Sequence, residues 1–453
     1  MRYRYRSDDE LKDSGVEWLG KIPKDWEVKR NKNIFSINKN LVGDKADEYK
    51  VLSLTLRGII ERDLESNIGK IPASFSTYQI VKPDSILLCL FDMDVTPRIC
   101  GYINKEGIIT SAYTNIKSHK SVVNKYFYYW FLRMDFEKIL LSQSKSLRNT
   151  LTNENFMNIN ITQPSYKEQE KIANFLDEKT SQFDLIISKK EELIKKLDEA
   201  KKSLISEVVT GKVKVVKTDD GYEIVKRKRD EMKDSKVEWL GEIPKDWEVK
   251  NFKNMFSLNK GLSITKADLK ENGIPCVNYG EIHSKYGFEL KPSKHKLKYV
   301  DEVYLKSNSI SLLNYGDFVF CDTSEDIEGC GNFTCLNENN KVFAGYHTII
   351  ARALKNINFR YISYLFNSND WRIQIRTRVS GVKVFSITQS ILKQTKIIMP
   401  SLSEQETIAK YLDIKCEEIS SSVYKIKCQI EKLKEAKQSL ISEAVTGKIE
   451  ILD

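Results

Sequence analysis

Fourteen residues near the start of this chain return almost unchanged 221 positions later. Val16-Glu-Trp-Leu-Gly-Lys-Ile-Pro-Lys-Asp-Trp-Glu-Val-Lys29 recurs as Val237-Glu-Trp-Leu-Gly-Glu-Ile-Pro-Lys-Asp-Trp-Glu-Val-Lys250, with one difference, Lys21 against Glu242. A second block, Leu197 to Lys212, returns as Leu433 to Lys448, now at an offset of 236. The change of offset means that the segment between the blocks differs in length between the copies, and its sequence has diverged as well. A chain with such a repeat must build one supersecondary plan twice. Two nearly fixed parts bracket a part free to vary.

The second block reads as the end of a long helix. Each copy opens with a proline and a capping-box pattern, Pro164 then Ser165-x-x-Glu168, and Pro400 then Ser401-x-x-Glu404, in which serine and glutamate side chains would satisfy the first free backbone amides. Each closes on Thr-Gly-Lys, with Gly211 and Gly447 placed to take the left-handed cap. Between these signals Phe183, Ile186, Leu193, Leu197, Ala200 and Leu204 follow three-four spacing, interrupted by Lys190; Ile419, Val423, Ile426, Ile430, Leu433 and Leu440 do so in the second copy. An unbroken helix from residue 166 to 210 would span roughly 67 Å at 1.5 Å per residue, the length of about 20 base pairs. A stripe so narrow on a helix so long needs a partner. The other copy's stripe supplies one, and an antiparallel pair would put the bracketed domains at opposite ends.

The expected organisation follows: a first domain over 1–163, a first helix over 164–212, a linker over 213–233, a second domain over 234–399, and a second helix with tail over 400–453. The domains mix β-like stretches (49–56, 85–91 and 107–113; 273–279, 317–321 and 341–351) with aromatic-rich stretches of helical character at 124–141 and 358–375. The fold class is therefore mixed α/β: two α+β domains separated by two long antiparallel coiled-coil helices, with pseudo-two-fold internal duplication.

Charge separates these parts. Both helices are neutral, with ten basic and ten acidic residues over 167–212 and eight of each over 403–448, while residues 1–166 carry +5, 213–402 carry +7 and the tail 449–453 carries −2, making the net +10. A polyanion would meet the domains, and the neutral helices suit packing against protein. A lysine-rich surface kept for solubility would give the same distribution. The longest clean apolar run is Ile86 to Phe91, so no signal peptide or membrane span is expected and the chain reads as cytoplasmic. The eight cysteines form no CxxC pair and read as free, mostly buried thiols. Cys321, Cys330, Cys335 and His347 match no common zinc spacing.

The chain shows no catalytic constellation. It has no GxxxxGK[ST] phosphate loop, no adjacent prolines of the kind that amino-group DNA methyltransferases carry, and four histidines (His119, His283, His295, His347) too scattered for a triad. Asp92, Asp94, Asp322 and Asp326 could be imagined on magnesium, but acidic pairs in loops commonly do no such work. Trp18, Trp26, Trp239 and Trp247, identical in both copies, fit a shared structural anchor better than stacking on bases. Candidate base readers lie in the diverged stretches, because Arg and Lys pair with guanine edges and Asn with adenine edges. They are Arg57, Arg62, Arg98, Lys145, Arg148 and Asn149 in the first domain, and Asn278, Lys294, Arg372, Arg376, Arg378 and Lys383 in the second. Phosphate contacts or plain solvation are the competing roles for each.

Taken together, three signatures resemble the specificity subunit family of type I restriction-modification systems: the Glu-Trp-Leu-Gly-x-Ile-Pro-x-Asp-Trp blocks at 17–26 and 238–247, the Pro-Ser-x-x-Glu-Gln-Glu-x-Ile-Ala helix starts at 164–173 and 400–409, and the Ser-Leu-Ile-Ser-Glu-x-Val-Thr-Gly-Lys endings at 203–212 and 439–448. The resemblance implies two target-recognition domains, each reading half of a split asymmetric site in double-stranded DNA, and paired helices that fix the gap and dock two methyltransferase subunits. It implies no catalysis or cofactor in this chain; S-adenosylmethionine, ATP and magnesium would belong to the partners, which include restriction subunits in the complete enzyme. The first domain departs from the second in carrying Ser144-Lys-Ser-Leu-Arg148 where the second has Ser380-Gly-Val-Lys383. Two other functions fit the residues less fully: a coiled-coil adaptor that grips proteins, and an autonomous nuclease or methyltransferase.

Overall fold

The computed structural model describes residues 2–65, 72–119, 122–144 and 149–452. The chain divides into two compact units, one formed by Met1–Glu191 with Ile426–Asp453 and the other by Glu192–Lys425. Each unit thus holds one diverged domain, the beginning of the helix that follows it, and the end of the other copy's helix. Both long helices are continuous, Tyr166–Val209 and Leu402–Val445. Among the described residues no helix is long and apolar enough to cross a membrane.

The helices pair antiparallel within each unit. In the first, Lys437 Nζ donates to Asp184 at 2.7 Å and Lys190 Nζ to Gln429 at 2.7 Å; in the second, Lys201 Nζ donates to Ser420 at 2.9 Å. The inward stripe of the first helix is Phe183, Ile187, Lys190, Ile194, Leu197, Lys201 and Leu204, and that of the second is Ile419, Val423, Ile426, Ile430, Leu433, Lys437 and Leu440, all buried or half-buried. Ile186 and Leu193, expected in the stripe, are instead 43% and 45% exposed, and Ala200 is also exposed. The physical reason is that lysines occupy stripe positions. Their aliphatic stems pack while their ammonium groups reach polar partners on the facing helix. A reading that treats Lys190 as an interruption steps onto the apolar neighbour one position away. Polar residues at such seams set register at some cost in stability.

Each helix closes in a Schellman motif. Lys212 N donates to Glu207 O at 2.9 Å and Gly211 N to Val208 O at 3.2 Å; Lys448 and Gly447 repeat both bonds to Glu443 and Ala444 at the same distances. The two glycines have φ of +76° and +72°. At the helix starts the serine half of the capping box forms, Ser165 and Ser401 each accepting from the amide three residues on at 3.3 Å. The glutamate half differs from expectation, because both carboxylates turn to a tryptophan and an arginine.

That turn builds a junction, once per unit. Glu168 accepts from Trp26 Nε1 at 2.8 Å and from Arg6 at 2.8 Å; Glu404 accepts from Trp247 Nε1 at 2.9 Å and from Arg227 at 2.6 Å. Both tryptophans are fully buried, and each arginine lies over its indole, 6.0 and 5.6 Å from the ring centre. The cap glycine of the other copy's helix closes the junction: a Cβ on Gly447 would stand 2.4 Å from the Pro23 ring, and one on Gly211 2.5 Å from that of Pro244. Three motifs far apart in sequence thus meet at one part-buried ion pair. Truncating one partner of such a pair strands a buried charge, which is far more costly than its net contribution suggests.

Residues 213–233, read as a linker, include an antiparallel hairpin, Val213–Thr218 with Gly221–Lys226, whose Val215 joins the core of its unit. In the other unit Arg2–Tyr5 pairs antiparallel with Ile449–Leu452, so the two ends of the chain make the corresponding strand pair.

Candidate nucleic-acid interface

The diverged domains share a sheet despite their unlike sequences. In the first its order is Cys100–Ile103, Ser85–Leu88, Thr114–Ser118, Phe35–Ile37, all antiparallel. In the second, Phe333–Leu336, Phe318–Cys321, Thr348–Ala353 and Phe256–Lys260 repeat that order, and Glu289–Leu290 adds a fifth strand parallel to the first of these. An aromatic helix packs on each, Asn124–Phe136 and Phe359–Asn367. Its tyrosines tie the domain to its own long helix: Tyr129 Oη donates to Asp177 at 2.5 Å, and Tyr364 Oη to Asp413 at 2.6 Å. Glutamines do the same, Gln169 accepting from Val123 N at 2.9 Å and Gln405 from Asn358 N at 3.0 Å. The sheets are therefore held rigidly on the frame, as precise recognition requires.

The basic and amide residues picked from the sequence scatter across these domains. Arg57 is exposed at the turn of the hairpin Leu52–Thr55/Gly58–Glu61, and Arg98 joins it there by donating to Leu56 O at 2.7 Å. Arg62 follows that hairpin, its amide bonded to Val51 O. Asn149 adopts a left-handed backbone, and its carbonyl accepts from Met93 N. Lys145 and Arg148 lie outside the described residues.

In the second domain Lys294 and Lys383 are exposed, and Arg378, also exposed, donates to Gln374 O at 2.6 Å. Arg372 and Arg376 are braces rather than free readers. Arg372 donates to Asn332 at 2.6 Å and Asn367 at 3.1 Å, and burial, helped by the neighbouring Arg376 charge, pulls its pKa down to about 10. Arg376 donates to Asn369 and to Glu328 O. Asn278 is fully buried. Sequence alone cannot separate these cases, because an arginine that solvates and one that braces a loop look alike until the fold supplies the carbonyl.

Corresponding clefts open at one end of both sheets. The first, about 260 Å³, lies among Asn38, Lys39, Phe91, Tyr113 and Asn153; the second, about 590 Å³, among Lys260, Asp322, Tyr346, His347 and Gln389. Each is walled by the same four pieces: the exit of Phe35–Ile37 or Phe256–Lys260, the exit of Ser85–Leu88 or Phe318–Cys321, the residues entering Thr114–Ser118 or Thr348–Ala353, and the start of a short helix (Asn153–Met157; Gln389–Lys393). No residue lining either cleft is among the base readers picked from the sequence; Asp322 and His347 enter that reading only as metal or triad candidates. A larger cleft of about 710 Å³ adjoins the second, with His347 lining both. There Arg372, Asn332 and His283 form a chain that ends on Thr323 O, 2.9 Å from His283 Nε2.

Seven of the eight cysteines are buried; only Cys428 is exposed. Burial raises the thiol pKa of Cys321, Cys330 and Cys335 above the usual value.

A duplicated frame carrying two like sheets with unlike loops defines a class of two-domain recognition proteins spaced by paired helices. Residues 244–432 match the family model described as the type I restriction modification DNA specificity domain. The chain is similar to the type I restriction enzyme MjaVIII specificity subunit of Methanocaldococcus jannaschii, 24% identical over 439 residues that cover 95% of this chain and 94% of that one. It is also similar to the putative MjaX specificity subunit of the same organism, at 22% over 460 residues covering 96% of each. Among solved structures, a chain from a study of type I R-M complex assembly superposes with a TM-score of 0.68 at 13% identity, covering 94% of this chain and 99% of that one. The HsdS subunit from Thermoanaerobacter tengcongensis gives 0.51 at 13%, covering 96% and 99%. Along essentially its whole length, then, the chain is similar to specificity subunits of type I restriction-modification systems, and residues 244–432 match the family's DNA specificity domain.

Proposed function

We propose that this chain reads double-stranded DNA for a type I restriction-modification enzyme, each domain taking one half of a bipartite, asymmetric target. The observation that carries the reading is the pairing of near-identical junctions with corresponding but chemically unlike clefts: equal mountings for two partners, unequal surfaces for two half-sites. In this reading the neutral paired helices are the spacer and the docking surface for two methyltransferase subunits, and restriction subunits complete the assembly. The chain itself is non-catalytic and works in the cytoplasm; its partners bring S-adenosylmethionine, ATP and magnesium.

The test is a footprint of the chain assembled with its methyltransferase on genomic DNA fragments, read at several salt concentrations. Two protected tracts separated by a constant gap, with affinity falling as salt rises, are expected. A single tract, or none, overturns the proposal, as would turnover of DNA by the chain alone with magnesium and S-adenosylmethionine.

A further inference from the structure

A side chain that reads a base edge must be exposed, be held on a rigid element, keep a polar atom uncommitted, and lie where the two domains differ. One position at the end of the sheet meets these conditions in the second domain, and its counterpart in the first is half-exposed. Tyr113 immediately precedes Thr114, which stands opposite Leu88, the last residue of its strand; His347 immediately precedes Thr348, which stands opposite Cys321, again the last of its strand. The two residues therefore hold the same place at the mouths of corresponding clefts.

His347 is the sharper case. Its side chain is 54% exposed, and its backbone is held at φ +55°, an uncommon conformation for a residue with a side chain. The chain beneath is close-packed: a Cβ on Gly261 would stand 2.1 Å from Gly345 O, and one on Gly345 1.9 Å from Asn278 Oδ1. Tyr279 and Tyr346 meet the imidazole edge-on, with ring centres 5.3 and 5.9 Å away. Nδ1 lies 3.0 Å from Asp322 Oδ1, and a carboxylate only accepts, so Nδ1 carries the proton. Nε2 makes no hydrogen bond among the described residues, and in the neutral ring it is an acceptor. An acceptor fixed at a cleft mouth selects exocyclic amino groups: adenine N6 or cytosine N4 in the major groove.

Tyr113 is held differently. Its ring stacks on Phe91 with centres 5.9 Å apart and planes 18° from parallel, and its hydroxyl makes no hydrogen bond among the described residues. A phenol can donate as well as accept, so the first cleft lacks the fixed polarity of the second.

We infer that the cleft at the end of each sheet is the base-reading site of its domain, with His347, held in one tautomer by Asp322, demanding an amino-bearing base at one position of the second half-site, and Tyr113 contacting the first half-site from the equivalent place. This rests on the DNA-reading function proposed above.

The experiment is selection of randomised duplexes, followed by sequencing, on the full chain assembled with its methyltransferase. Wild-type chain is expected to enrich a bipartite site with adenine or cytosine at the position read by His347. His347→Ala should lower discrimination there by about tenfold, roughly one hydrogen bond's share, and leave the other half-site unchanged. Asp322→Asn keeps the shape but lets either ring nitrogen carry the proton, so the demand for an amino group should relax toward guanine and thymine while affinity for the site as a whole is retained. Tyr113→Ala should alter the first half-site only. Should the wild-type chain enrich no sequence, the DNA-reading function itself fails. If it enriches a bipartite site that His347→Ala and Asp322→Asn leave unchanged at every position, or weaken uniformly, the cleft assignment alone is overturned.

Discussion

The two junctions and the two clefts were made by the same duplication, yet they have fared oppositely. At the junctions Trp26, Glu168 and Arg6 are matched by Trp247, Glu404 and Arg227, with the indole–carboxylate distances agreeing at 2.8 and 2.9 Å. At the clefts only the backbone route is shared: tyrosine stands where histidine does, and a stacked phenylalanine replaces a carboxylate partner. A junction must satisfy one part-buried ion pair and one glycine that has no room for a Cβ, and almost any change leaves a charge unpaired or a ring displaced. A cleft mouth faces water, where a substitution disturbs little of the fold. Divergence has collected where it is energetically cheap.

The largest effect that would test this contrast is at the junction. Glu168→Ala or Glu404→Ala should each destabilise its own unit by about 3 kcal/mol, less than a fully buried pair would give, measured as a lower denaturant midpoint with loss of hydrogen-exchange protection around Trp26 or Trp247. If either variant unfolds no earlier than the parent, the junctions are not the anchors described here. Gly211→Ala comes next: the left-handed backbone and the Pro244 ring together should cost about 2 kcal/mol or more, again in thermal or denaturant unfolding. Smaller still is Lys437→Met, which removes an exposed tie to Asp184 from the helix seam; stability should change by less than about 1 kcal/mol, whereas precision of pairing, read by engineered cysteine cross-linking between the helices, should fall. Smallest of all is a cyclic permutation. Because Arg2–Tyr5 with Ile449–Leu452 matches the hairpin closed by Asp219 and Asp220, opening the chain between those aspartates and joining its present ends by a short turn should leave circular dichroism and unfolding essentially unchanged. Loss of fold on permutation would show that the two strand pairs are not equivalent.

Much of the frame was legible in advance because its signals are local. Proline followed by Ser-x-x-Glu marks a helix start, and Thr-Gly-Lys an end, and both were recovered to within a residue or two. The buried tryptophans follow from identity between copies whose interiors differ. The seam was only half legible: three-four spacing from Phe183 allows Ile186 or Ile187, and the choice was made by Lys190 and Lys201, whose partners Gln429 and Ser420 lie on the other helix.

The sequence by itself determined that one plan is built twice, where its helices start and stop, that those helices carry facing stripes, and that the charge lies on the domains. These properties are written within a few residues of one another or in the comparison of the two copies. Only the tertiary structure decided that the capping glutamates serve Trp–Arg pairs, that residues 213–226 form a hairpin, that Arg372 and Arg376 bond to groups of their own domain, that Asn278 is buried, and that Tyr113 and His347 share one position. The junctions join segments 142 to 177 residues apart, while the hairpin, the arginine bonds and the cleft pairs span shorter distances that strand ladders and helix packing close. Residue spacing along the chain carries no record of such meetings.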